Sequence, residues 1–479
     1  MPEADFPSLL LTSEGPAAQG AFARAQADFL DPDGAWVARL DERLAAANAG
    51  IVAHFYMDAE LQGALFASQW PHIHISDSLL MADAAVKMAE AGVERIIVLG
   101  VDFMSENVRA MLDVAGYHDV QVLRVAEASI GCSLAESAER PEYAAWLRRA
   151  RRSPFPLHVV YINTSLRTKA HAHAAVPTIT CTSSNVVRTI LQAAAQEPRG
   201  HIWFGPDTYM GRNLQTFFEH VASMSAEEVA KLHPDHTPAS VASLLERLHY
   251  FEQGNCFVHH LFGDDVAATV RARYADAYIT AHLEVPGEMF ALGLEAQQEG
   301  RGVVGSTSDI LKFIEATTTR ALACGEARRC RFVLGTEAGM VTSIVRSVRA
   351  LLEAQPEPLV EVEIIFPVSE AAVATTGDAA LPVVPGVQAG EGCSTDGGCA
   401  TCPYMKMNSL DALDDLLGRV RGGEESLEGF APRVYDEKIE ARSVAEVGGE
   451  PILFMRDFQR TGRLPGALVE QLRARTTHG

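Results

Sequence analysis

The feature that most constrains the fold is a pattern that occurs three times along the chain. Short β-branched segments alternate with longer segments that have apolar residues at helical spacing, which is typical of parallel sheets covered by helices. Three of the strand-like segments end in two polar residues two positions apart, so both side chains lie on one face of the extended chain. The three pairs are His54 and Tyr56, Tyr161 and Asn163, and His282 and Glu284.

Three further features follow each polar pair in the same order. A cluster of hydroxyl residues opens a helical pattern, a glycine separated by one residue from an acid ends another strand, and a cysteine comes last. The hydroxyl clusters contain Ser78, Ser183 and Thr307, the acids are Asp102, Asp207 and Glu337, and the cysteines are Cys132, Cys256 and Cys402. Four features that recur in one order predict three homologous units.

The predicted fold class is α/β, with three homologous α/β/α units whose small parallel sheets are arranged around a pseudo-threefold axis with a central active site. Ligands of open parallel sheets bind beyond the carboxyl ends of the strands, where loops and helix N-termini meet. The predicted division is an N-terminal helical extension at 1–50, the three units at 51–150, 151–270 and 271–420, and a C-terminal segment at 421–479 that packs back on the core.

Charge and composition exclude several classes of protein. The 479 residues include 40 Lys and Arg against 62 Asp and Glu, a net charge of −22. So acidic a chain repels phosphate backbones and anionic lipids, and neither a nucleic acid nor a membrane is an expected partner. No apolar run reaches the ~18 residues that span a bilayer, and no secretory signal pattern is present. Eight cysteines are too few for a disulfide scaffold, which favours a reducing cytoplasm.

Three cysteines that converge on one centre would suit a metal cluster. A [4Fe–4S] cluster is usually held by four cysteines, and with only three of them one iron keeps an open position that can act as a Lewis acid. Zinc is the competing interpretation because Cys399 and Cys402 form a CxxC pair, although no second close pair accompanies it. The other cysteines Cys181, Cys324 and Cys330 are expected to be ordinary packing residues.

Eleven strings, in order between Ile51 and Leu417, carry a family resemblance. They are IVAHFYMDAELQ, ISDSLLMA, GVDFMSENVRAML, GCSLAE, VVYINTSLRTKA, CTSSNVV, FGPDTYMGR, GNCFVHH, VGSTSDI, GTEAGM and CPYMKMNSL. Together they resemble the quinolinate synthase family. The resemblance implies a triangle of three α/β units around a three-cysteine [4Fe–4S] cluster. It also implies condensation of iminosuccinate with dihydroxyacetone phosphate to quinolinate, phosphate and water, for the biosynthesis of NAD.

The resemblance also assigns roles to residues by position. The cluster ligands are matched by Cys132, Cys256 and Cys402. The substrate-contacting positions are matched by His54, Ser78, Tyr161, Asn163, Ser183, His282, Glu284 and Thr307. The expected proton carriers are Glu284, His282 and Tyr56, since histidine titrates near neutrality and burial can raise the pKa of a glutamate toward it.

The chain departs from the family pattern in a few places. The family usually has His-Pro-Glu at 282–284, where this chain has His-Leu-Glu, and an acid near His260. The segments Pro367–Gly392 and Gly422–Gly449 contain residues that shorter members lack.

Of the last three cysteines, Cys402 alone is expected to bind iron. It lies in the string that resembles the ligand segment of the family, and an open iron requires a single ligand from this group. Cys393 and Cys399 lie in a glycine-rich loop, where a reversible disulfide is a weaker hypothesis.

Two other functions remain open at this point. A different [4Fe–4S]-dependent hydro-lyase, acting on a hydroxy acid, would turn over without a triose phosphate. A redox-sensing regulator is less compatible with the sequence, because nothing resembles a helix-turn-helix or a basic nucleic-acid surface. The leading interpretation predicts the two small-molecule substrates as partners and functional coupling to L-aspartate oxidase.

Overall fold

The computed structural model describes residues 6–254, 256, 258–259, 262–355, 359–367, 402, 404–422 and 427–474. The strands are β1 Ser8–Thr12, β2 Gly15–Gln19, β3 Ala49–His54, β4 Ile73–Ser76, β5 Arg95–Leu99, β6 Gln121–Arg124, β7 Pro156–Tyr161, β8 Thr178–Cys181, β9 His201–Gly205, β10 Leu248–Tyr250, β11 Tyr278–His282, β12 Gly302–Gly305, β13 Arg328–Gly335, β14 Val360–Ile365, β15 Lys438–Ile439 and β16 Arg442–Ser443. The helices are α1 Ala21–Asp28, α2 Gly34–Ala46, α3 Ala59–Ala67, α4 Ser78–Glu90, α5 Asp102–Val114, α6 Ser133–Ala138, α7 Pro141–Ala150, α8 Leu166–Ala175, α9 Val186–Gln196, α10 Thr208–Ser223, α11 Ala226–Leu232, α12 Pro238–Leu245, α13 Asp264–Arg273, α14 Gly287–Gln298, α15 Thr307–Cys324, α16 Val341–Glu353, α17 Leu410–Gly422, α18 Val444–Thr461 and α19 Gly466–Ala474. Short 3-10 turns span Ala338–Met340, Met405–Met407 and Glu428–Phe430.

Three parallel sheets repeat one topology along the chain. Their strand orders are β4-β3-β5-β6, β8-β7-β9-β10 and β12-β11-β13-β14, so the first strand of each sheet always lies between the second and the third. Neighbouring strands within these three sets are parallel. The structure therefore confirms the α/β class with small parallel sheets, and the predicted repeat corresponds to a repeated strand order.

The first strands are buried on both faces, as expected for parallel sheets covered by helices. All six residues of β3, with the sequence AGIVAH, are buried, and so are all six of β7. A short, continuously apolar segment therefore predicts a strand that is buried on both faces. A segment that alternates apolar and polar residues would instead predict a half-exposed strand.

The N-terminal segment differs from the predicted helical extension. Strands β1 and β2 form an antiparallel hairpin that joins the third sheet at β14, with Ser8 opposite Ile365. The hairpin turns at Ser13 and Glu14, and the next residue, Gly15, adopts a positive φ of +121° that favours glycine. The side chains of Leu9 and Leu11 enter the same core as Phe332, so burial of two leucines on one face stabilises a strand here. Of the described residues in this segment, those of α1 and α2 alone are helical.

The chain forms two compact units. The first consists of Met1–Val101, Asp119–Ile130 and Phe257–Ala431 and contains the first and third sheets, whereas the second consists of Asp102–His118, Gly131–Cys256 and Pro432–Gly479 and contains the second sheet. The division into domains at 51–150, 151–270 and 271–420 stays a prediction, although the repeated strands fall within one range each, apart from the first two residues of β3, Ala49 and Gly50.

The C-terminal helix α18 packs within the second unit, against α8 and β8. A side chain at Gly448 would place its Cβ atom 2.4 Å from the carbonyl oxygen of Leu166, so the close approach of α18 to the start of α8 requires glycine. Among the described helices, none has the length and apolar character needed to cross a membrane.

Candidate active site

The repeated polar residues lie where the three sheets end. Strands β3, β7 and β11 are the first strands of their sheets, and they end at His54, Tyr161 and His282. The second member of each pair follows in the loop, and helices α4, α9 and α15 begin at the hydroxyl clusters. The carboxyl ends of the strands therefore carry the predicted features, at the edge where parallel sheets bind ligands.

His54 and His282 have the same local hydrogen bond. The main-chain N–H of Tyr56 donates to Nδ1 of His54 at 3.2 Å, and that of Glu284 donates to Nδ1 of His282 at 3.3 Å. Because Nδ1 accepts in both rings, the proton of each neutral imidazole is on Nε2. Burial lowers the pKa of both histidines to about 4, although the charge of Glu284 acts in the opposite direction.

Both rings are therefore neutral at pH 7, and each offers one N–H donor. The expectation that His282 titrates near neutrality does not fit this burial, since transferring a cationic imidazole out of water is unfavourable. A neutral donor at the end of a strand suits a substrate carbonyl or carboxylate oxygen.

The carboxyl group of Glu284 lies between two imidazole rings. Its Oε2 atom is 3.3 Å from Nδ1 of His259, and its Oε1 atom is 3.6 Å from Nδ1 of His282. The two rings stack with their centroids 5.2 Å apart, and all three side chains are at most 4% exposed. A carboxyl group in such an enclosed polar environment is a candidate for proton transfer.

Tyr56 joins the same cluster through two edge-on ring contacts. Its ring centroid is 4.7 Å from that of His54 and 6.4 Å from that of His259. The structure thus brings together four residues that the sequence singled out, and adds His259. The sequence reading missed His259, although it is the third residue after Cys256 in the GNCFVHH string.

The three predicted hydroxyl residues lie at the helix starts, but each helix is capped by a neighbouring residue. The N-cap residues are Asp77, Asn185 and Ser306, so Ser78 and Thr307 occupy the first helical position and Ser183 precedes its cap by two residues. Within the described part of the chain, the hydroxyls of Ser78 and Thr307 make no hydrogen bond of their own. The N-terminus of a helix favours anions, so these hydroxyls are well placed to bind one.

The segment around Cys402 is fixed at the ends of two strands. The carboxylate of Glu337, which is 1% exposed, accepts the main-chain N–H of Cys402 at 2.6 Å. The side chain of Asn408 accepts the N–H of Gly100 at 2.9 Å. Glu337 and Gly100 both belong to the glycine-and-acid motifs of the repeat, so these motifs position the cysteine-bearing segment within the first unit.

The three predicted cluster ligands are partly buried cysteines that form no disulfide with another described residue and lie outside strands and helices. These are Cys132, Cys256 and Cys402. In contrast, Cys181 and Cys330 are buried in strands, where burial raises the pKa of both thiols, and Cys324 is exposed at the end of α15. Metals bind thiolates, so the partly buried set fits a cluster better. Cys393 and Cys399 lie outside the described residues.

Several predicted residues belong to the second compact unit, and their convergence with the others in one cavity stays a prediction. They are Cys132, Cys256, Tyr161, Asn163 and Ser183. His260 and residues 368–392 lie outside the described part of the chain.

Comparison with known proteins identifies the family. Residues 38–357 match the family model described as quinolinate synthetase A protein. The chain belongs to the quinolinate synthase family. The resemblance predicted from the eleven strings is thereby confirmed, and the match includes residues of both compact units.

Relatives in this family extend from plants to cyanobacteria. The chain is 53% identical over 480 residues to the chloroplastic quinolinate synthase of Arabidopsis thaliana, covering 98% of this chain and 67% of that protein. It is 53% identical over 489 residues to the chloroplastic quinolinate synthase of Oryza sativa subsp. japonica, covering 98% of this chain and 69% of that protein. With the quinolinate synthase of Prochlorococcus marinus (strain MIT 9313), the identity is 25% over 401 residues, covering 83% of this chain and 87% of that protein.

Proposed function

We propose that this chain condenses iminosuccinate with dihydroxyacetone phosphate to form quinolinate, one phosphate and two waters. The observation that carries this proposal is the 53% identity to the Arabidopsis thaliana quinolinate synthase over 98% of the chain. The reaction balances without an oxidant, because all seven carbon atoms and the nitrogen enter the pyridine ring and its carboxylates while only phosphate and water leave.

Substrate recognition requires groups for two carboxylates and a phosphate. In the first unit, the hydroxyls of Ser78 and Thr307 at the starts of α4 and α15 are proposed to bind these anions, where the N–H groups of the helices also favour negative charge. His54 contributes a neutral Nε2–H donor. In the second unit, Tyr161, Asn163 and Ser183 are proposed to contact the substrates in the same way as their repeat counterparts.

Proton transfer is proposed to involve Glu284, His282 and Tyr56. The condensation and the loss of water both require a group that takes a proton from carbon and returns one to a departing hydroxyl. The buried carboxyl group of Glu284 suits this role, while Nε2–H of His282 can donate to an oxygen on which charge develops. Tyr56, in edge-on contact with His54, is proposed to share in these proton transfers.

A [4Fe–4S] cluster is the proposed cofactor, with Cys132, Cys256 and Cys402 as its ligands. When bound, it would supply an open iron that polarises a substrate oxygen as a Lewis acid. The partial burial of the three thiols supports this set, and the hydrogen bond from the Cys402 N–H to Glu337 holds that ligand segment in place.

The chemistry of iminosuccinate also indicates what must supply it. Oxidation of L-aspartate at its amino-bearing carbon gives this imine, so L-aspartate oxidase is the proposed functional partner. A cytoplasmic location stays a prediction from the cysteine content, and the names of the plant relatives place those proteins in chloroplasts.

The decisive experiment is reconstitution of the full chain under anaerobic conditions, followed by mass-spectrometric detection of quinolinate. Iminosuccinate and dihydroxyacetone phosphate together should give quinolinate and phosphate, and leaving out either substrate should abolish both products. A cluster-loaded protein that forms no quinolinate would overturn the proposal. Dehydration of a hydroxy acid by the same preparation would then favour the hydro-lyase alternative.

A further inference from the structure

One position has the same register in all three repeats. The helices that follow the first strands are α3, α8 and α14, and their N-caps are Asp58, Ser165 and Pro286, each four residues after the end of its strand. The fourth residue of each helix then lies beneath the loop that carries the second polar residue. These fourth residues are Gln62, Lys169 and Phe290, and each is 0% exposed.

In the first repeat, the amide of Gln62 binds the backbone on both sides of Tyr56. Nε2 donates to the carbonyl oxygens of Phe55 and Met57, each at 2.8 Å, and it lies 2.6 Å from that of Gly339. Three surrounding carbonyls determine which way the amide points, because the opposite orientation would place its oxygen against theirs. The loop around Tyr56 is therefore fixed by one buried side chain.

In the second repeat, Lys169 binds the backbone on both sides of Asn163. Nζ donates to the carbonyl oxygen of Ile162 at 3.0 Å and also to that of Thr164. These are the carbonyls one and three residues after the end of the strand, the same two positions that Gln62 binds in the first repeat. Two chemically different side chains thus make equivalent pairs of hydrogen bonds in the two repeats.

Burial of Lys169 is unfavourable unless other groups compensate for it. Burial lowers the pKa of Lys169 to about 7, and the opposing charge comes from Glu106, itself 1% exposed. Glu106 accepts the N–H of Leu166 at 2.8 Å and the hydroxyl of Tyr435 at 3.0 Å. A second buried charge and a residue of the C-terminal segment therefore support the lysine.

The third repeat provides the contrast. Phe290 occupies the same helical position but has no donor for the carbonyls of its loop, and its side chain packs in the core. This repeat therefore separates the effect of packing at the position from the effect of the hydrogen bonds.

We propose that Gln62 and Lys169 are equivalent positioning residues, each fixing the two carbonyls that flank one site residue, Tyr56 or Asn163. The inference rests on the proposed function for the roles of those two residues. It adds to that function two buried side chains, each at the end of the first turn of its helix.

The test is a matched series of methionine substitutions: Gln62→Met, Lys169→Met and Phe290→Met. Methionine is unbranched and apolar, so the first two variants lose donors while the third loses only aromatic packing. Amide hydrogen exchange of the cluster-free chain reports the loops directly. Exchange should quicken at Tyr56 and Met57 in Gln62→Met and at Thr164 in Lys169→Met. In Phe290→Met it should stay unchanged at Glu284 and Val285, the equivalent amides of the third repeat.

Kinetics of the loaded enzyme give a second, independent measurement. Gln62→Met should lower kcat, because Tyr56 is a proposed proton carrier. Lys169→Met should chiefly raise KM, because Asn163 is a proposed substrate contact. Misplacement of a site residue by about 1 Å costs roughly 10²-fold, so changes of 10- to 100-fold in kcat/KM are expected.

The double variant Lys169→Met/Glu106→Gln removes both buried charges and keeps the test usable if Lys169→Met alone does not fold. Parental exchange and kinetics in Gln62→Met and in a folded Lys169 variant would overturn the proposal. Equal loop effects in Phe290→Met would overturn it too, since packing alone would then account for them. Failure of the parent chain to form quinolinate would contradict only the proposed function, because the exchange measurement needs no substrate.

Discussion

Oε2 of Glu284 lies 3.3 Å from Nδ1 of His259, and both side chains are almost completely buried. The contact joins the loop after β11 to a segment that precedes it by more than twenty residues. It places a second imidazole against the carboxyl group that is proposed to move protons, in addition to the ring of His282.

Glu284→Gln is expected to lower kcat by about 10²- to 10⁴-fold while leaving the iron content unchanged. The amide keeps the shape of the side chain but cannot take up or release a proton as a carboxyl group does. Initial rates and iron analysis of the same preparation measure both quantities. The control is Glu288→Gln, an exposed residue of α14, which should behave like the parent. Near-parental turnover in Glu284→Gln would refute its role.

Cys402→Ser is expected to lose the cluster, whereas Cys399→Ser should retain both cluster and activity. The reason is that an open iron leaves room for one thiolate from this group, and Glu337 fixes the N–H of Cys402. Iron and sulfide content after anaerobic reconstitution distinguishes the two. Cys324→Ser, which alters an exposed thiol, serves as the control. The opposite pattern would move the ligand assignment to Cys399.

Thr307→Val and Ser78→Ala should raise KM for a substrate by roughly 10- to 100-fold, since a hydrogen bond to a charged group contributes about 1.5–3 kcal/mol. Substrate-dependent rates for each variant provide the measurement. Ser308→Ala changes the next residue of α15 and should leave KM unchanged. If Thr307→Val binds both substrates as tightly as the parent, its hydroxyl takes no part in anion binding.

Acid should destabilise the second unit through His158. Burial lowers the pKa of this histidine to about 3, and its ring is hydrogen-bonded to Tyr143 and Thr178. Above pH 6.5 the ring is neutral whether the chain is folded or unfolded, so it adds no pH dependence. Between pH 6.5 and about 3 only the unfolded chain binds the proton, and the free energy of unfolding falls as the pH falls, by up to about 1.4 kcal/mol per pH unit.

Urea unfolding between pH 7.5 and 5 measures this slope. His158→Gln should be less stable at pH 7.5. Its free energy of unfolding should also depend less steeply on pH, because one fewer proton is taken up on unfolding. His118→Gln, at an exposed ring, should keep the parental slope. An unchanged slope in His158→Gln would show that this histidine is protonated in the folded chain.

The placement of His54, Tyr161 and His282 could be predicted because it depends on local rules. A polar pair two residues apart at the end of an apolar run fixes both the strand and its carboxyl end. The starts of helices α4, α9 and α15 could be predicted in the same way, since a hydroxyl cluster before an apolar periodic segment is typical of a helix start.

The features that the sequence did not predict depend mainly on contacts between distant segments. Strands β10 and β12, with three and four residues, are too short to show a period, and they form because a longer neighbour offers hydrogen bonds. His259 enters the site through packing against Glu284, which no local pattern reveals. The local pattern at the start of α4 did not decide which residue is the N-cap, because aspartate and serine are both favourable there, and the structure shows that it is Asp77.

The hairpin at the start of the described chain has a consequence for the order of folding. Ser8 pairs with Ile365, so β1 cannot reach its partner until residue 365 has left the ribosome. At synthesis rates of about 5–20 residues per second, this delay is on the order of tens of seconds. During that interval Leu9 and Leu11 have no core to enter, and the nascent chain must keep an apolar strand from pairing elsewhere. The third sheet is thus extended by a strand that is made long before the strand it pairs with.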